Sequence, residues 1–135
     1  MDVILWADPL DNLSAYINYD YVFGTPYGGQ TEGAHALNVG ARLGIIDSTG
    51  IAMRVEYVNE PANGAILFRP SSLDEATALL LDGNIVTVTG TVDHQLTDGL
   101  TLKTEVRWDY ETDGTFPRSN SKDQVAMIAQ LLYEF

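Results

Sequence analysis

The closing segment of the chain, QVAMIAQLLYEF, is apolar at every second position. Its odd positions are Val125, Met127, Ala129, Leu131, Tyr133 and Phe135. Its even positions include Gln124, Gln130 and Glu134. A period of two is typical of a β-strand with one apolar face and one mixed face. The end of the chain is therefore predicted to be a strand.

The same alternation recurs upstream in five segments: NLSAYINYDYVF, AHALNVGARLGI, IAMRVEYVNE, IVTVTGTVDHQL and TLKTEVRWDYE. Strict alternation over about ten residues cannot lie on one face of a helix. Six strands are predicted in this way, and DVILWA before the first of them predicts the end of a seventh. We expect one all-β domain over residues 1–135, an antiparallel up-and-down meander of six to seven long strands.

Short and long connections alternate along the chain. Residues 8–12, 47–50 and 97–99 carry the Asp, Gly and Pro that tight turns require. Longer polar segments lie between them, at residues 24–33, 61–84 and 112–122. In the longest segment, Ser72 followed by Glu75 predicts the start of a short helix that could narrow a pore. Short turns at one rim and long loops at the other are typical of outer-membrane barrels.

Polar and charged residues occupy a single parity within the predicted strands. In a soluble sheet, sandwich or lipocalin-like barrel they would form the wet face, with the apolar face packed inward. In a transmembrane β-barrel they would line the lumen, with the basic residues facing the acids across strands. The predicted pore-lining residues are Asp20, Asn38, Arg42, Arg54, Glu56, Asp93, Lys103, Glu105, Arg107, Asp109, Gln130 and Glu134.

Three features favour the membrane interpretation. Several strands are about ten residues long, whereas globular strands average about five or six and about nine to eleven tilted residues cross a bilayer. No Lys or Arg falls on the apolar parity, which only His94 interrupts. Aromatic residues also lie near the strand ends, as in an interfacial girdle. Near the long loops these are Tyr21, Phe23, Tyr57, Trp108 and Tyr110, and near the short turns Tyr133 and Phe135.

Composition excludes several functions. With 7 basic and 19 acidic residues, the net charge of −12 argues against a nucleic-acid partner. The chain has no cysteine and no phosphate loop, dinucleotide fingerprint or nucleophile elbow. His35 and His94 are predicted near opposite rims, so no zinc or catalytic pair is expected. We therefore expect neither an enzyme nor a cofactor.

The segments LSAYINYDY, GIAMRVEYVNEPANG, LTDGLTLKTEVRWDYE and KDQVAMIAQLLYEF together resemble the closing strands of the OmpL-like beta-barrel porins of bacterial outer membranes. The resemblance covers about residues 13–135 and implies an outer-membrane location. It also implies that the insertion machinery reads the last strand, with Tyr133 and Phe135 as the signal. Members of the family carry a signal peptide and further strands, which this chain lacks. The resemblance therefore implies a C-terminal fragment.

Passive diffusion of small hydrophilic solutes through a charged lumen in the lipid bilayer is the expected function. Two alternatives stay open: a structural or adhesive membrane barrel too narrow to conduct, and a soluble lipocalin-like barrel that binds an apolar ligand. Six or seven strands fall below the eight of the smallest closed barrels. We therefore expect an open curved sheet, a strained closure or one part of a larger assembly, and association into a homo-oligomer is left open.

Overall fold

A computed structural model of the chain describes residues 1–24, 32–60, 83–112 and 121–134. The strands are β1 (Asp2–Leu10), β2 (Leu13–Gly24), β3 (Glu32–Ile46), β4 (Thr49–Glu60), β5 (Gly83–Thr97), β6 (Leu100–Glu111) and β7 (Asp123–Tyr133). They form one sheet in chain order, and each strand is antiparallel to the next. The predicted all-β meander of long strands is confirmed. In this described part of the chain, no helix is long and apolar enough to cross a membrane.

Tight two-residue turns join the strands at one edge of the sheet. Residues 11–12 connect β1 to β2, residues 47–48 connect β3 to β4, and residues 98–99 connect β5 to β6. At the opposite edge, the strand ends lead into residues 25–31, 61–82 and 113–120, which lie outside the described residues, as does the helix predicted to start near Ser72. Short turns therefore mark one rim, which we call the short-turn rim, and the opposite end is the long-loop rim.

The first strand extends further than the sequence pattern predicts. A turn over residues 8–12 is wrong, because β1 continues to Leu10 and its register shifts between Ala7 and Leu10. Pro9 lies at this irregularity in an edge strand, where a missing backbone donor is tolerated. Likewise, Thr49 and Gly50 belong to β4 and Thr97 to β5. The turns are shorter than predicted because strand pairing continues through their flanking residues.

The two faces of the sheet differ in both chemistry and exposure. On the apolar face of β6, Val106 is 46% exposed and Trp108 is 39% exposed, whereas Asp109 on the other face is 2% exposed. A flat single sheet would expose both faces alike, so the sheet curves with its polar face on the concave side. Ala34 is the only buried hydrophobic residue in the part of the chain that the structure describes. The apolar residues therefore form an outer surface and no core.

The sheet is open. Among the described residues, β1 pairs only with β2 and β7 pairs only with β6. Every residue of these two edge strands is exposed. Of the arrangements expected for so few strands, the structure shows the open curved sheet.

Strand length matches a bilayer. The strands β2, β4 and β6 each have 12 residues. At roughly 3.4 Å per residue such a strand is about 40 Å long. A tilt of about 40° reduces its height to about 30 Å, close to the thickness of the hydrocarbon layer.

Replacing Gly99 by alanine tests the turn between β5 and β6. Gly99 has a φ of 75°, and a Cβ there would collide with the carbonyl oxygen of Glu134. Gly99→Ala is therefore expected to lower the free energy of unfolding by roughly 1–2 kcal/mol. The measurement is urea unfolding of the protein refolded into detergent micelles.

Gly90→Ala is the matched control, because a Cβ at Gly90 meets nothing within 4 Å. It is expected to be neutral or to stabilise by about 0.5 kcal/mol, since alanine restricts the unfolded chain. Equal losses for the two variants would contradict the account of this turn.

Candidate pore-lining face

Directly opposed residues form rows across the polar face. A row close to the long-loop rim contains three acids: Asp2, Asp20 and Glu111. The next row, the amide row, contains Asn18, Asn38, Glu56, Thr87, Asp109 and Gln124. Below it, the arginine row contains Trp6, Tyr16, Gly40, Arg54, Thr89, Arg107 and Ala126. Acidic residues thus lie towards the long-loop rim, and the arginine row below them contains no acid of its own.

Asp109 joins three strands in the amide row. Its Oδ1 accepts hydrogen bonds from Thr87 Oγ1 at 2.7 Å and from Arg107 Nε at 2.6 Å. Its Oδ2 accepts one from Gln124 Nε2 at 3.0 Å. A buried carboxylate is stable only when it is paired and hydrogen-bonded, and Asp109 meets both conditions. This side chain therefore fixes β5, β6 and β7 to one another on the polar face.

A second network joins β2, β3 and β4. The Tyr16 hydroxyl donates to Asn38 Oδ1 at 3.0 Å, and Asn38 Nδ2 donates to Glu56 Oε2 at 3.3 Å. The Tyr16 ring lies over Gly40, where a Cβ would come within 2.8 Å of the ring carbon Cζ. Glycine at this position therefore lets the aromatic ring lie against the backbone of β3.

Arg42 reaches across a whole strand to its acid. Its Nη2 lies 2.6 Å from Asp93 Oδ2, and its Nε donates to Asp93 Oδ1 at 3.1 Å. The guanidinium passes over Gly50 of β4, where a Cβ would be 2.7 Å from Arg42 Cζ. Because the Arg42 side chain is 52% exposed, we expect this pair to contribute only about 0–1 kcal/mol. Its main effect is to hold the guanidinium against the polar face of the sheet.

On the apolar face, aromatic side chains lie towards the long-loop rim. Tyr21 and Phe23 stack with ring centroids 6.1 Å apart, and Trp108 and Tyr110 stack at 5.8 Å. Tyr57 donates from its hydroxyl to Asn84 Oδ1 at 2.9 Å. The five residues predicted as a girdle therefore share one face and one end of the sheet. Their contact with a lipid interface stays a prediction.

A sequence model of the family described as "Putative beta-barrel porin-2, OmpL-like" matches residues 1–135. The chain belongs to this porin family. The match covers the whole chain and so includes β1, which lies ahead of the region where the resemblance begins. No curated protein matches the chain, and no solved structure matches it.

The residues predicted to line the pore of this porin share the polar face wherever they lie in strands. Glu134 follows β7 at the short-turn rim, and its backbone N–H donates to the Gly99 carbonyl at 2.7 Å. At the same rim Tyr133 lies opposite Leu100 on the apolar face. Phe135 lies outside the described residues.

The expected pairing of basic and acidic residues holds only in part. Within the described residues the ion pairs are Arg42–Asp93 and Arg107–Asp109. Neither joins directly opposed residues, because the first spans an intervening strand and the second lies along β6. The side chains of Arg54 and Lys103 form no ion pair or hydrogen bond with any described residue, although Lys103 lies directly opposite Asp93 and attracts its carboxylate. Within the described residues, the polar face therefore carries two cations that form no ion-pair contact.

Both histidines lie on the apolar face, so the prediction that His94 alone interrupts it is wrong. His35 Nδ1 lies 2.7 Å from the Tyr19 hydroxyl near the long-loop rim. His94 Nδ1 lies 2.8 Å from Thr49 Oγ1 near the short-turn rim. A polar group costs less near an interface than at the bilayer midplane, which explains why both are tolerated. In the described residues, no cluster of three or more potential ligands could hold a metal ion.

Sequence reasoning missed an aromatic pair on the polar face. Trp6 stacks on Tyr16 with centroids 6.1 Å apart and planes 13° from parallel. Tyr16 could have been found, since it shares the parity of Asn18 and Asp20. Trp6 could not, because β1 is apolar on both faces, with Val3 and Leu5 on one and Ile4 and Trp6 on the other.

Replacing Asp109 by alanine tests the network in the amide row. Asp109→Ala removes three hydrogen bonds, one of them to a charged group, and is expected to lower the free energy of unfolding by about 2–3 kcal/mol. The measurement is urea unfolding in detergent micelles.

Asp123→Ala serves as its control. Asp123 is exposed and accepts one hydrogen bond from Ser121 Oγ at 2.8 Å, so the expected loss is below about 0.5 kcal/mol. If Asp109→Ala were no more destabilising than Asp123→Ala, Asp109 would not hold the three strands together.

Proposed function

We propose that this chain forms part of the wall of an outer-membrane porin through which small hydrophilic solutes diffuse passively. The observation that carries the proposal is the inverted sheet, with charged side chains on the concave face and apolar side chains on the exposed face. Within the seven described strands, no Lys or Arg lies on the apolar face. Such a charge in contact with lipid costs about 2–4 kcal/mol near the midplane. The distribution therefore fits a bilayer outside and water inside.

The charges of the polar face suit a conducting lumen. A barrel plugged by its own side chains needs most of its charges in direct contact, whereas the Arg54 and Lys103 side chains form no ion pair or hydrogen bond with the described residues. Unpaired charges of both signs create a field across the lumen that acts on passing solutes. This function depends on a wall of residues and needs no catalytic group.

The sheet presents its apolar face on the outside. The apolar residues lie on the exposed face, as Met53 at 59% and Val39 at 46% exposure illustrate. This favours the porin over a lipocalin-like barrel, which would bind its ligand on a concave apolar surface.

The two edges of the sheet need strand partners in a membrane, because hydrocarbon does not tolerate unpaired backbone groups. In our proposal, β1 and β7 pair with other strands, from further copies of this chain or from a longer polypeptide. Insertion by the outer-membrane machinery, with Tyr133 and Phe135 as its signal, belongs to the same proposal.

Solute release from liposomes tests the proposed function. The full chain is reconstituted into liposomes that contain a labelled monosaccharide and a labelled dextran of about 10 kDa. We expect release of the monosaccharide and retention of the dextran. Retention of both solutes, with the protein shown to be inserted by its resistance to carbonate extraction, would support the non-conducting alternative. Cooperative folding without detergent or lipid would contradict the membrane assignment altogether.

Charge substitutions test which face meets the solutes. Glu56→Gln is expected to lower the cation-to-anion permeability ratio, and Arg54→Gln is expected to raise it, because each removes one charge from the lumen wall. The ratio is obtained from the reversal potential under a potassium chloride gradient. Asp123→Asn, on the opposite face at the rim, should shift it less than either. If Glu56→Gln and Arg54→Gln both raised or both lowered the permeability ratio, the polar face would not be the surface that meets the solutes.

A further inference from the structure

A cavity of about 280 Å³ opens on the concave face. Six strands contribute to it: Trp6 comes from β1, Tyr16 from β2, Arg42 from β3, Arg54 from β4, Thr89 from β5, and Lys103 with Glu105 from β6. The curvature of the sheet therefore brings its first and sixth strands around one space. This volume lies near the lower limit of about 300 Å³ for small-molecule sites.

Two polar atoms that line this cavity have no hydrogen-bond partner among the described residues. Arg54 Nε and Thr89 Oγ1 are buried, and no described residue forms a hydrogen bond with either atom. The two residues lie directly opposite each other on β4 and β5, and Thr89 is only 2% exposed. The Lys103 ammonium also forms no ion pair or hydrogen bond with the described residues. Buried polar groups without partners are rare, and a molecule that enters the cavity can supply the partner for Arg54 Nε and Thr89 Oγ1.

An aromatic surface lines the same cavity. Trp6 is 65% exposed although its ring stacks on Tyr16. Its indole Nε1 already donates to Asp8 Oδ1 at 3.1 Å. The indole therefore offers its flat surface and not its donor. Such a surface takes the face of another ring in an offset stack.

Glu105 limits the charge that the cavity accepts. Its Oε2 accepts a hydrogen bond from Thr91 Oγ1 at 3.3 Å, and within the described residues it has no cationic partner. A second negative charge on a bound solute would meet this carboxylate. Arg42 also lines the cavity, but its charge is already paired with Asp93. The cavity therefore favours a single negative charge beside Arg54 and Lys103.

From these contacts we infer that the cavity is a binding site for small monocarboxylates with a flat ring, of which benzoate is the simplest. The carboxylate accepts hydrogen bonds from Arg54, Thr89 and Lys103, and the ring stacks on Trp6. This inference rests on the proposed function, because a solute reaches the cavity through the lumen. It adds that passage is selective for ring-bearing monoanions.

Tryptophan fluorescence tests the inference without measuring transport. The chain has two tryptophans, and Trp108→Phe leaves Trp6 as the only reporter in the full chain refolded into detergent micelles. Benzoate is expected to change the Trp6 emission saturably. Benzamide, of the same shape but neutral, and acetate, which lacks the ring, are expected to bind at least tenfold more weakly.

Charge variants in this background locate the site. Arg54→Gln and Lys103→Gln are each expected to weaken benzoate binding about tenfold, since each removes a charge-assisted hydrogen bond. Lys122→Gln is the control, because Lys122 donates to the Thr112 carbonyl outside the cavity. It removes the same charge and is expected to change binding less than twofold. If Arg54→Gln does not refold, Lys103→Gln decides the question.

The results separate this inference from the proposed function. Saturable benzoate binding without solute release from liposomes would support the site and overturn the proposed diffusion. Solute release with a linear, unsaturable response to benzoate would overturn the site and leave the porin function intact. Equal weakening by Lys103→Gln and Lys122→Gln, or equal binding of benzoate and benzamide, would also overturn the site.

Discussion

Strand register is the constraint on which the rest of this structure depends. Because side chains alternate between faces, a slip of one residue in any pair would move charges onto the apolar face and apolar groups onto the polar face. Two features hold the register of the central strands. The Asp98–Gly99 turn requires a positive φ that glycine supplies, and the Tyr16 ring fits only over the bare backbone of Gly40. Gln124 of β7 also donates to Asp109 of β6, which joins two strands that a long segment of chain separates.

The open edges impose the second condition. Seven antiparallel strands leave β1 and β7 running in the same direction, so pairing them with each other would make a parallel seam. Two copies in the same membrane orientation would meet at two parallel seams for the same reason. Fully antiparallel closure needs an odd number of additional strands. The edge strands also carry apolar residues on the polar side of the sheet, such as Ile4 and Ile128. These positions are suited to packing against further strands and less suited to lining open water.

Alternation in the sequence is sufficient to predict the central strands and the face on which each residue lies. One face of each strand is apolar and the other is polar, so apolar and polar residues alternate along the chain. The same logic fails at β1, where Val3, Ile4, Leu5 and Trp6 are apolar in succession. Ion pairs are harder to predict than faces. Arg42 reaches its acid only because Gly50 leaves space over β4, and Arg107 binds an acid of its own strand. The cavity beside Trp6 and Arg54 depends on the curvature of the sheet, and the positions of strands in the sequence do not predict that curvature.

The central claim is that apolar side chains face lipid while charged side chains face water, and a cysteine scan along β4 tests it most directly. The chain has no native cysteine, so single cysteines at positions 51–57 can each carry a nitroxide label in the protein reconstituted into liposomes. The account predicts alternation: high accessibility to oxygen, which dissolves in lipid, at positions 51, 53, 55 and 57, and high accessibility to a water-soluble nickel chelate at 52, 54 and 56. Alternation of the opposite phase, or equal accessibility at all seven positions, would contradict it.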